Sequence, residues 1–293
     1  MHNSECNIGT MHGSHSMDAA RLGKLQTGFL SPARRTGRAL ANHLRSAVRL
    51  SAFMTAAFRA LWMHRKLPPN PTRLQSAEWL HEVCIGGLEA IHLRWTVQGT
   101  PPARGLIVSN HLSYLDILCY SAAVPCVFVS KAEVEQWPIF GAYARWSGSV
   151  FVRRHDRGGA ARANASVSDS IESGVPVVLF PEGMTTDGHR VLRFHSTMLQ
   201  PAIDVRAPVT PCAIRYELDD GDPATEAAWW GDTPLLPHVW NLFGKKCIRA
   251  RIAFGESVVP SGDRKQLGHV LHDRVAGLYD DWRKAAAEPL CPS

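Results

Sequence analysis

Acidic residues are absent from one long stretch of this chain. Between Arg21 and Gln75 there is no Asp or Glu, whereas basic residues stand at 21, 24, 34, 35, 38, 45, 49, 59, 65, 66 and 73. This asymmetry says more than the net charge of +6 over 293 residues, and it indicates a nucleic acid or an anionic membrane surface as partner. The stretch also lacks the ~18 uncharged apolar residues of a spanning helix.

Helical periodicity favours the membrane surface over nucleic acid. At about 100° per residue, one narrow arc contains Arg38, Arg45, Arg49 and Arg59. The opposite side carries Leu50, Met54, Ala57, Phe58 and Leu61. A basic amphipathic helix of this kind lies in the headgroup region with its apolar face inserted, although the same face could instead pack on the protein's own core. We therefore expect residues 21–70 to form a membrane-surface segment and expect no nucleic-acid partner.

Patterns that define several other protein classes are also missing. The seven cysteines have no Cys-x-x-Cys spacing, which argues against a zinc ribbon or a disulfide framework and favours a reducing, cytoplasmic setting. There is no Gly-x-Ser-x-Gly elbow of a lipase or esterase. Residues 1–20 lack the apolar run of a secretory signal, so we expect a disordered tail there. We also expect no metal site.

Composition and periodicity predict the fold class. With 45% hydrophobic residues, the chain can bury a full core. Pro68-Pro69-Asn70-Pro71 interrupts helical structure, so we place a domain over residues 71–288, closed by an amphipathic helix from Asp263 to about Ala287. Short apolar runs separated by stretches of helical length occur at 106–109, 126–130, 149–152, 175–180, 209–216 and 248–254. The alternation predicts an α/β fold with a mostly parallel central sheet flanked by helices.

A histidine and a carboxylate follow the first of these runs. The heptapeptide Asn110-His111-Leu-Ser-Tyr-Leu-Asp116 stands where a buried strand ends, and ligands bind at the carboxyl ends of such strands. A neutral imidazole oriented by a carboxylate can accept a proton from a hydroxyl near pH 7. His111 is therefore a candidate general base. Ser113 and Asp116 also match a capping box, which leaves a purely structural role for Asp116 open.

Two later runs end in residues of related chemistry. Residues 149–152 lead into Arg153-Arg154, a pair suited to a phosphate or carboxylate, although such a pair is more often a solvated surface. Residues 175–180 lead into Pro181-Glu182-Gly183, which can also be only a tight turn.

The order of these blocks resembles the glycerolipid acyltransferases typified by bacterial 1-acyl-sn-glycerol-3-phosphate acyltransferase. The fourth block is Ala207-Pro-Val-Thr-Pro-Cys212, and the likeness covers about residues 100–216. The resemblance implies transfer of a fatty acyl group from acyl-CoA or acyl carrier protein, as co-substrate, to the hydroxyl of a lysolipid. It implies no cofactor, and a peripheral or monotopic place on the anionic cytoplasmic face of the inner membrane.

The resemblance implies a role for each residue that stands at a matching position of the four blocks. His111 matches the family's base and Asp116 its partner, and Arg154 matches the arginine that holds the acceptor's phosphate. The positions expected to contact substrate are Asn110, Lys131, Arg153, Arg154, Glu182 and Gly183. Arg153 stands where the family often has an acidic residue, which puts its role in doubt. The fourth block resembles one that shapes the side of the acyl donor.

One departure bears on the acceptor. Met184 stands where many members have threonine or serine, and Thr185 where many have arginine, so a phosphate contact is missing. We expect 1-acyl-sn-glycerol-3-phosphate as acceptor, giving phosphatidic acid, with a lyso-ornithine lipid as the alternative. An alternative of another class is a non-catalytic basic protein that binds membrane or nucleic acid, which would not need His111.

Overall fold

The computed structural model describes residues 32–137, 140–152 and 159–285. The predicted tail, the first part of the basic segment, Arg153 and Arg154 lie outside these ranges. Ala41–Ser293 forms one compact unit, and Met1–Leu40 is grouped apart from it.

Helices and strands alternate along the chain. The helices are α1 Pro32–His64, α2 Arg73–Ala90, α3 Leu115–Ala123, α4 Phe140–Trp146, α5 Gly159–Glu172, α6 Gln200–Asp204, α7 Pro223–Glu226, α8 Leu235–Phe243 and α9 Arg264–Ala285. The strands are β1 Leu93–Gln98, β2 Leu106–Ser109, β3 Val127–Lys131, β4 Val150–Val152, β5 Val177–Leu179, β6 Val209–Leu218 and β7 Ile248–Phe254. Short 3₁₀ turns occur at Ala132–Gln136 and Ser196–Leu199.

In the described part of the chain, the strands form a seven-stranded sheet in the order β1-β7-β6-β2-β5-β3-β4. Strands β6, β2, β5, β3 and β4 run parallel to one another, whereas β7 is antiparallel to β6 and parallel to β1. The predicted α/β fold with a mostly parallel sheet is confirmed. Because parallel strands end at the same edge, the carboxyl ends of β2, β5, β3 and β4 lie along one edge of the sheet.

The strands at the centre of the sheet could be predicted from the sequence because they are fully buried. In β2 and β5 every residue is buried, since helices cover both faces, and such strands appear as continuous apolar runs. Edge strand β1 was not predicted, because only Leu93 of its six residues is buried and the rest are partly or fully exposed. Its sequence Leu-Arg-Trp-Thr-Val-Gln alternates apolar and polar residues and therefore contains no continuous apolar run.

Helix α1 confirms the predicted helix but corrects the role of its arginines. Arg49 is only 6% exposed, and its Nη1 donates to the carbonyls of Phe243 at 3.0 Å and Lys245 at 2.6 Å. The Nε of Arg45 donates to the carbonyl of Gly244 at 2.9 Å. These carbonyls lie at the end of α8, where C=O groups lack helical partners and positive charge is favourable. These two arginines therefore bind the main chain of the protein, as the core-packing alternative requires.

The exposed side of α1 is apolar. Phe53, Leu50 and Met63 pack against the core. On the other side lies an apolar stripe that consists of Leu44, Val48, Met54, Phe58, Leu61 and Trp62 and whose members are 37% to 66% exposed. The alternative that α1 packs on the protein's own core is therefore confirmed for one side of the helix. The membrane-surface alternative stays a prediction, and the uncovered apolar side chains are the surface it would use. Among the described residues, no helix is long and apolar enough to cross a membrane.

Candidate active site

The loop that carries His111 is fastened to β6 by Asn110. The side-chain Nδ2 of Asn110 donates to the carbonyl of Ile214 at 2.9 Å, and its Oδ1 accepts from the N–H of Ile214, also at 2.9 Å. Asn110 is 1% exposed. Because both ends of the amide are bound to main chain, this placement does not support the predicted substrate contact. Asn110 instead continues the β2–β6 pairing beyond the end of β2.

The His111–Asp116 pair forms as predicted. Nδ1 of His111 lies 2.7 Å from Oδ2 of Asp116, and the two side chains are 20% and 0% exposed, respectively. An ionised carboxylate only accepts hydrogen bonds, so Nδ1 carries the hydrogen and Nε2 keeps its lone pair. No side chain in the described part of the molecule forms a hydrogen bond with Nε2. The imidazole is therefore oriented for a hydroxyl from outside the protein.

Asp116 lies in the first turn of α3 and also binds the backbone of the loop that precedes this helix. Its Oδ2 accepts the backbone N–H groups of Leu112 at 2.7 Å and Ser113 at 3.1 Å, and its Oδ1 accepts the hydroxyl of Tyr216 at 2.5 Å. The hydroxyl of Ser113 has no hydrogen-bond partner, so only the carboxylate half of the capping box is present. The structural and orienting roles of Asp116 therefore coexist, because different donors share one carboxylate.

The phenyl ring of Phe180 stacks on one face of the His111 imidazole. The rings of His111 and Phe180 stack with centroids 4.0 Å apart and an angle of 10° between their planes. Phe180 directly follows β5, the neighbour of β2 in the sheet. In the sequence Phe180 is only the last residue of the apolar run 175–180, and Tyr216 is only the last residue of the run 209–216. Tyr216 could not have been found locally, since it lies 100 residues from Asp116.

Glu182 binds protein main chain on both sides of its carboxylate. Oε2 accepts the N–H of His111 at 2.9 Å, and Oε1 accepts the N–H of Leu192 at 2.7 Å. The residue is 3% exposed, and burial raises the pKa of Glu182 to about 7 although the two N–H donors oppose the shift. This geometry makes Glu182 a residue that positions His111, in contrast to the predicted substrate contact.

The turn around Gly183 completes this connection. Gly183 has φ 75°, a left-handed value that favours glycine, and its N–H donates to the carbonyl of Phe180 at 3.1 Å. Three residues later, the N–H of Thr186 donates to the carbonyl of His111 at 2.9 Å. The Pro-Glu-Gly segment is thus a tight turn, which was one of the two alternatives from the sequence. It also supports residues 110–114, which are called the catalytic loop here because they include the predicted base His111.

Lys131 lies at the same edge of the sheet as His111. It is exposed at the end of β3, and β5 separates β3 from β2, so the two strand ends are roughly 10 Å apart. Strand β4, which ends at Val152, is the next strand outward. The predicted arginines 153 and 154 follow it directly but lie outside the described residues. Within those residues, no cluster of His, Cys, Asp and Glu could hold a metal ion.

Aromatic rings form a wall beside the histidine. The backbone N–H of Trp229 donates to the carbonyl of Leu112 at 2.8 Å, which places this residue next to the loop that carries His111. Its indole Nε1 donates to the carbonyl of Thr233, also at 2.8 Å, and this bond orients the ring. Its ring packs edge-on against Tyr114 at 6.1 Å and Trp137 at 6.2 Å. Trp137 remains 39% exposed, so the wall presents apolar surface to solvent.

Together these features define a class: an α/β protein with a supported His–Asp pair at the carboxyl edge of a parallel sheet. Known proteins place the chain more narrowly. A family model described as Acyltransferase matches residues 94–215. The lyso-ornithine lipid O-acyltransferase of Rhizobium meliloti (strain 1021) is 31% identical over 78% of this chain and 81% of its own length. The 1-acyl-sn-glycerol-3-phosphate acyltransferase of Neisseria meningitidis serogroup B is 33% identical over 61% and 71%, respectively.

A solved structure shares the fold. The crystal structure of the 1-acyl-sn-glycerophosphate (LPA) acyltransferase from Thermotoga maritima superimposes with a TM-score of 0.65 at 19% identity, covering 87% of this chain and all of that one. The chain belongs to the acyltransferase family. It is accordingly an enzyme of acyl transfer, and the resemblance inferred from its four sequence blocks is confirmed.

Proposed function

We propose that this enzyme moves a fatty acyl group from acyl-CoA or acyl carrier protein to the free hydroxyl of a lysolipid. The observation that carries the proposal is the uncommitted Nε2 of His111, held in place by Asp116 and Phe180. A thioester donor already contains a good leaving group, so the enzyme has to position the acceptor, remove its proton and stabilise a tetrahedral oxyanion.

The proposed reaction proceeds by direct attack. Nε2 of His111 takes the hydroxyl proton as the acceptor oxygen bonds to the thioester carbonyl carbon. The tetrahedral intermediate then collapses, the carbon–sulfur bond breaks, and the departing thiolate receives the proton from the imidazolium. Asp116 stabilises the transient positive charge on the ring. The wall of Tyr114, Trp137 and Trp229 offers apolar surface for an acyl chain.

The acceptor class follows from the relatives, whose names include a lyso-ornithine lipid and a 1-acyl-sn-glycerol-3-phosphate. Both acceptors are lysolipids with one free hydroxyl, so the same base serves either of them. Transfer to 1-acyl-sn-glycerol-3-phosphate would give phosphatidic acid. Met184, which replaces a polar residue of the third block, is 59% exposed and supplies no hydrogen bond to a phosphate.

We further propose that the enzyme works while bound to the cytoplasmic face of the inner membrane. The apolar stripe of α1 is continued by Leu236, which is 79% exposed, and by Trp240, which is 38% exposed. Trp240 donates to His43 of α1 at 3.1 Å, which joins the two helices at this surface. Inserting each large apolar side chain contributes about 1.5–3 kcal/mol. The exposed residues Arg59, Arg65 and Lys66 add attraction to anionic lipid.

The test is an assay of thiol release from several acyl-CoAs, and of acyl transfer from acyl carrier protein, with a panel of lysolipids. Wild type should acylate at least one lysolipid, and His111→Ala should lower kcat by about 10²–10⁴-fold. His195→Ala, at an exposed histidine near the site, serves as the matched control and should retain activity. Full activity of the His111 variant, or no transfer to any acceptor, would refute the proposal.

A further inference from the structure

A buried histidine of helix α8 contacts the catalytic loop. His238 is 5% exposed, and the mechanism proposed above gives its side chain no role. Its Nδ1 lies 3.2 Å from the hydroxyl oxygen of Tyr114, and its Nε2 lies 3.0 Å from the carbonyl oxygen of Ala228. Both ring nitrogens therefore have a partner, and one of these partners belongs to the catalytic loop.

The two partners decide where the hydrogen of the imidazole lies. A carbonyl oxygen only accepts hydrogen bonds, so Nε2 of His238 carries the hydrogen and donates to Ala228. Nδ1 then keeps its lone pair and accepts from the hydroxyl of Tyr114. Burial lowers the pKa of His238 and raises the pKa of Tyr114, so near pH 7 the imidazole is neutral and the phenol keeps its proton. Each group therefore has the protonation state that these two bonds require.

The bond to Ala228 reaches the catalytic loop through one peptide group. The carbonyl of Ala228 and the N–H of Trp229 belong to the same planar unit, and this N–H donates to the carbonyl of Leu112 at 2.8 Å. Hydrogen bonds that follow one another through a peptide group polarise it and strengthen each other. His238 is therefore joined to the catalytic loop twice, directly at Tyr114 and through this peptide group at Leu112.

The position of Leu112 matters because its N–H binds the partner of the base. This N–H donates to Oδ2 of Asp116 at 2.7 Å, and the same oxygen lies 2.7 Å from Nδ1 of His111. A displacement of Leu112 therefore moves the carboxylate that orients the imidazole. An error of ~1 Å in such geometry can lower the rate about 10²-fold. Support of this part of the loop by α8 is accordingly support of the base.

We propose that His238 is a positioning residue for acyl transfer, which holds the catalytic loop so that the His–Asp pair keeps its geometry. It acts through the hydroxyl of Tyr114 and through the peptide group between Ala228 and Trp229, and not by contact with a substrate. These same bonds place two of the three residues of the aromatic wall. The proposal rests on the proposed function, because it assigns a residue that positions the base of that reaction.

The test measures kcat and the KM of the acceptor in variants of the two bonded side chains. His238→Gln keeps a donor for Ala228 but loses the acceptor for Tyr114, and Tyr114→Phe removes the same bond from its other end. Each should lower kcat about 2- to 10-fold, and the double variant should lower it no further, because both changes remove one bond. His238→Leu removes both bonds and should lower kcat about 10- to 100-fold. The KM of the acceptor should stay unchanged.

The matched control is His81→Leu. Nδ1 of His81 lies 2.7 Å from the carbonyl oxygen of Ser121, near the end of α3 that is opposite to Asp116, so this change also removes a contact between a histidine and main chain. It should leave kcat unchanged, with kcat calculated per folded protein from urea unfolding of each variant. Wild-type kcat in His238→Leu, additive losses in the double variant, or an equal loss in His81→Leu overturns the proposal.

Amide hydrogen exchange separates this proposal from the proposed function. The N–H groups of Leu112 and Ser113 bind Asp116, and their exchange should be faster in His238→Leu than in wild type. If wild type transfers no acyl group but exchange changes in this way, the proposed function fails and the support of the loop by His238 stands. Unchanged exchange overturns that support, while acyl transfer by wild type leaves the proposed function standing. Should His238→Leu fail to fold, the same comparison is made with His238→Gln.

Discussion

The hydroxyl of Tyr216 donates to Oδ1 of Asp116 at 2.5 Å and thereby joins β6 to the catalytic loop. Burial, followed by the charge of Asp116, raises the pKa of Tyr216 well above its usual value, so the phenol stays protonated and remains a donor throughout the working pH range. Tyr216 completes a set of donors that leaves the carboxylate only one orientation toward His111.

Replacing Asp116 by Asn should remove both the orientation of His111 and the negative charge beside it. The amide cannot accept from His111, Leu112 and Tyr216 as the carboxylate does, and it cannot stabilise the imidazolium. We expect kcat to fall by about 10²–10⁴-fold, measured as thiol release at saturating acceptor.

Tyr216→Phe removes one of the four donors to Asp116 and should lower kcat about tenfold, since a charge-assisted hydrogen bond contributes about 1.5–3 kcal/mol and three donors remain. Equal losses in the two variants would contradict this ranking.

Glu182 should make the stability of the protein depend on pH. Burial raises the pKa of Glu182 to about 7 in the folded enzyme, well above the ordinary value of a glutamate, so the folded state holds the proton more tightly. The stabilisation is complete below the unfolded pKa and is lost as the pH rises through the folded one. Over that window wild type should lose up to ~3 kcal/mol relative to Glu182→Gln, which cannot ionise. Urea unfolding of both proteins at several pH values measures the difference, and parallel pH profiles would contradict it.

Arg49 should contribute to stability and leave the chemistry unchanged. Arg49→Met keeps much of the side-chain volume but leaves the carbonyls of Phe243 and Lys245 without their donor. We expect unfolding in urea to show a loss of about 2–3 kcal/mol, with kcat of the folded enzyme preserved. The control is Arg59→Met, at an exposed position of the same helix, and it should stay within about 0.5 kcal/mol of wild type. A smaller effect at Arg49 than at Arg59 would refute this role.

The apolar stripe should govern membrane binding. Phe58 and Trp62 are 66% and 58% exposed, and changing both to Ser should weaken binding to vesicles at least about tenfold, since each side chain is worth about 1.5–3 kcal/mol when inserted. Co-sedimentation with anionic and neutral vesicles measures the change. Val259→Ser is the control, because Val259 is 68% exposed but lies outside the stripe. Unchanged sedimentation of the double variant would refute membrane binding through the stripe.

Much of the fold was predictable because its central strands are buried on both faces. All six predicted runs became strands, and the helices after β2 and before β5 and the closing helix α9 were also predicted. β1 was missed because its partly exposed residues lack an apolar run. The antiparallel pairing of β6 with β7 was not predicted either, since the order of strands depends on pairing between distant segments.

Some residues of the site could be predicted from the sequence with their contacts, and others could not. His111 and Asp116 are five residues apart, so the loop and the first turn of α3 alone bring them together, and spacing reveals them. The partners of Glu182 and Asn110 are backbone groups of other loops and strands, and backbone groups leave no trace in a sequence pattern. Both residues were therefore identified as important, but were expected to contact substrate when they bind main chain.

The contacts of the α1 arginines could not be predicted from the sequence either. The sequence by itself determined that a basic amphipathic helix precedes the catalytic domain and that a His–Asp pair ends a buried strand, because both depend on periods and spacings within a few turns of chain. Only the tertiary structure decided that Arg45 and Arg49 bind the end of α8 and that Tyr216 holds Asp116. These contacts join segments about 100 to 200 residues apart, and packing of the sheet and helices, which no local pattern encodes, brings them together.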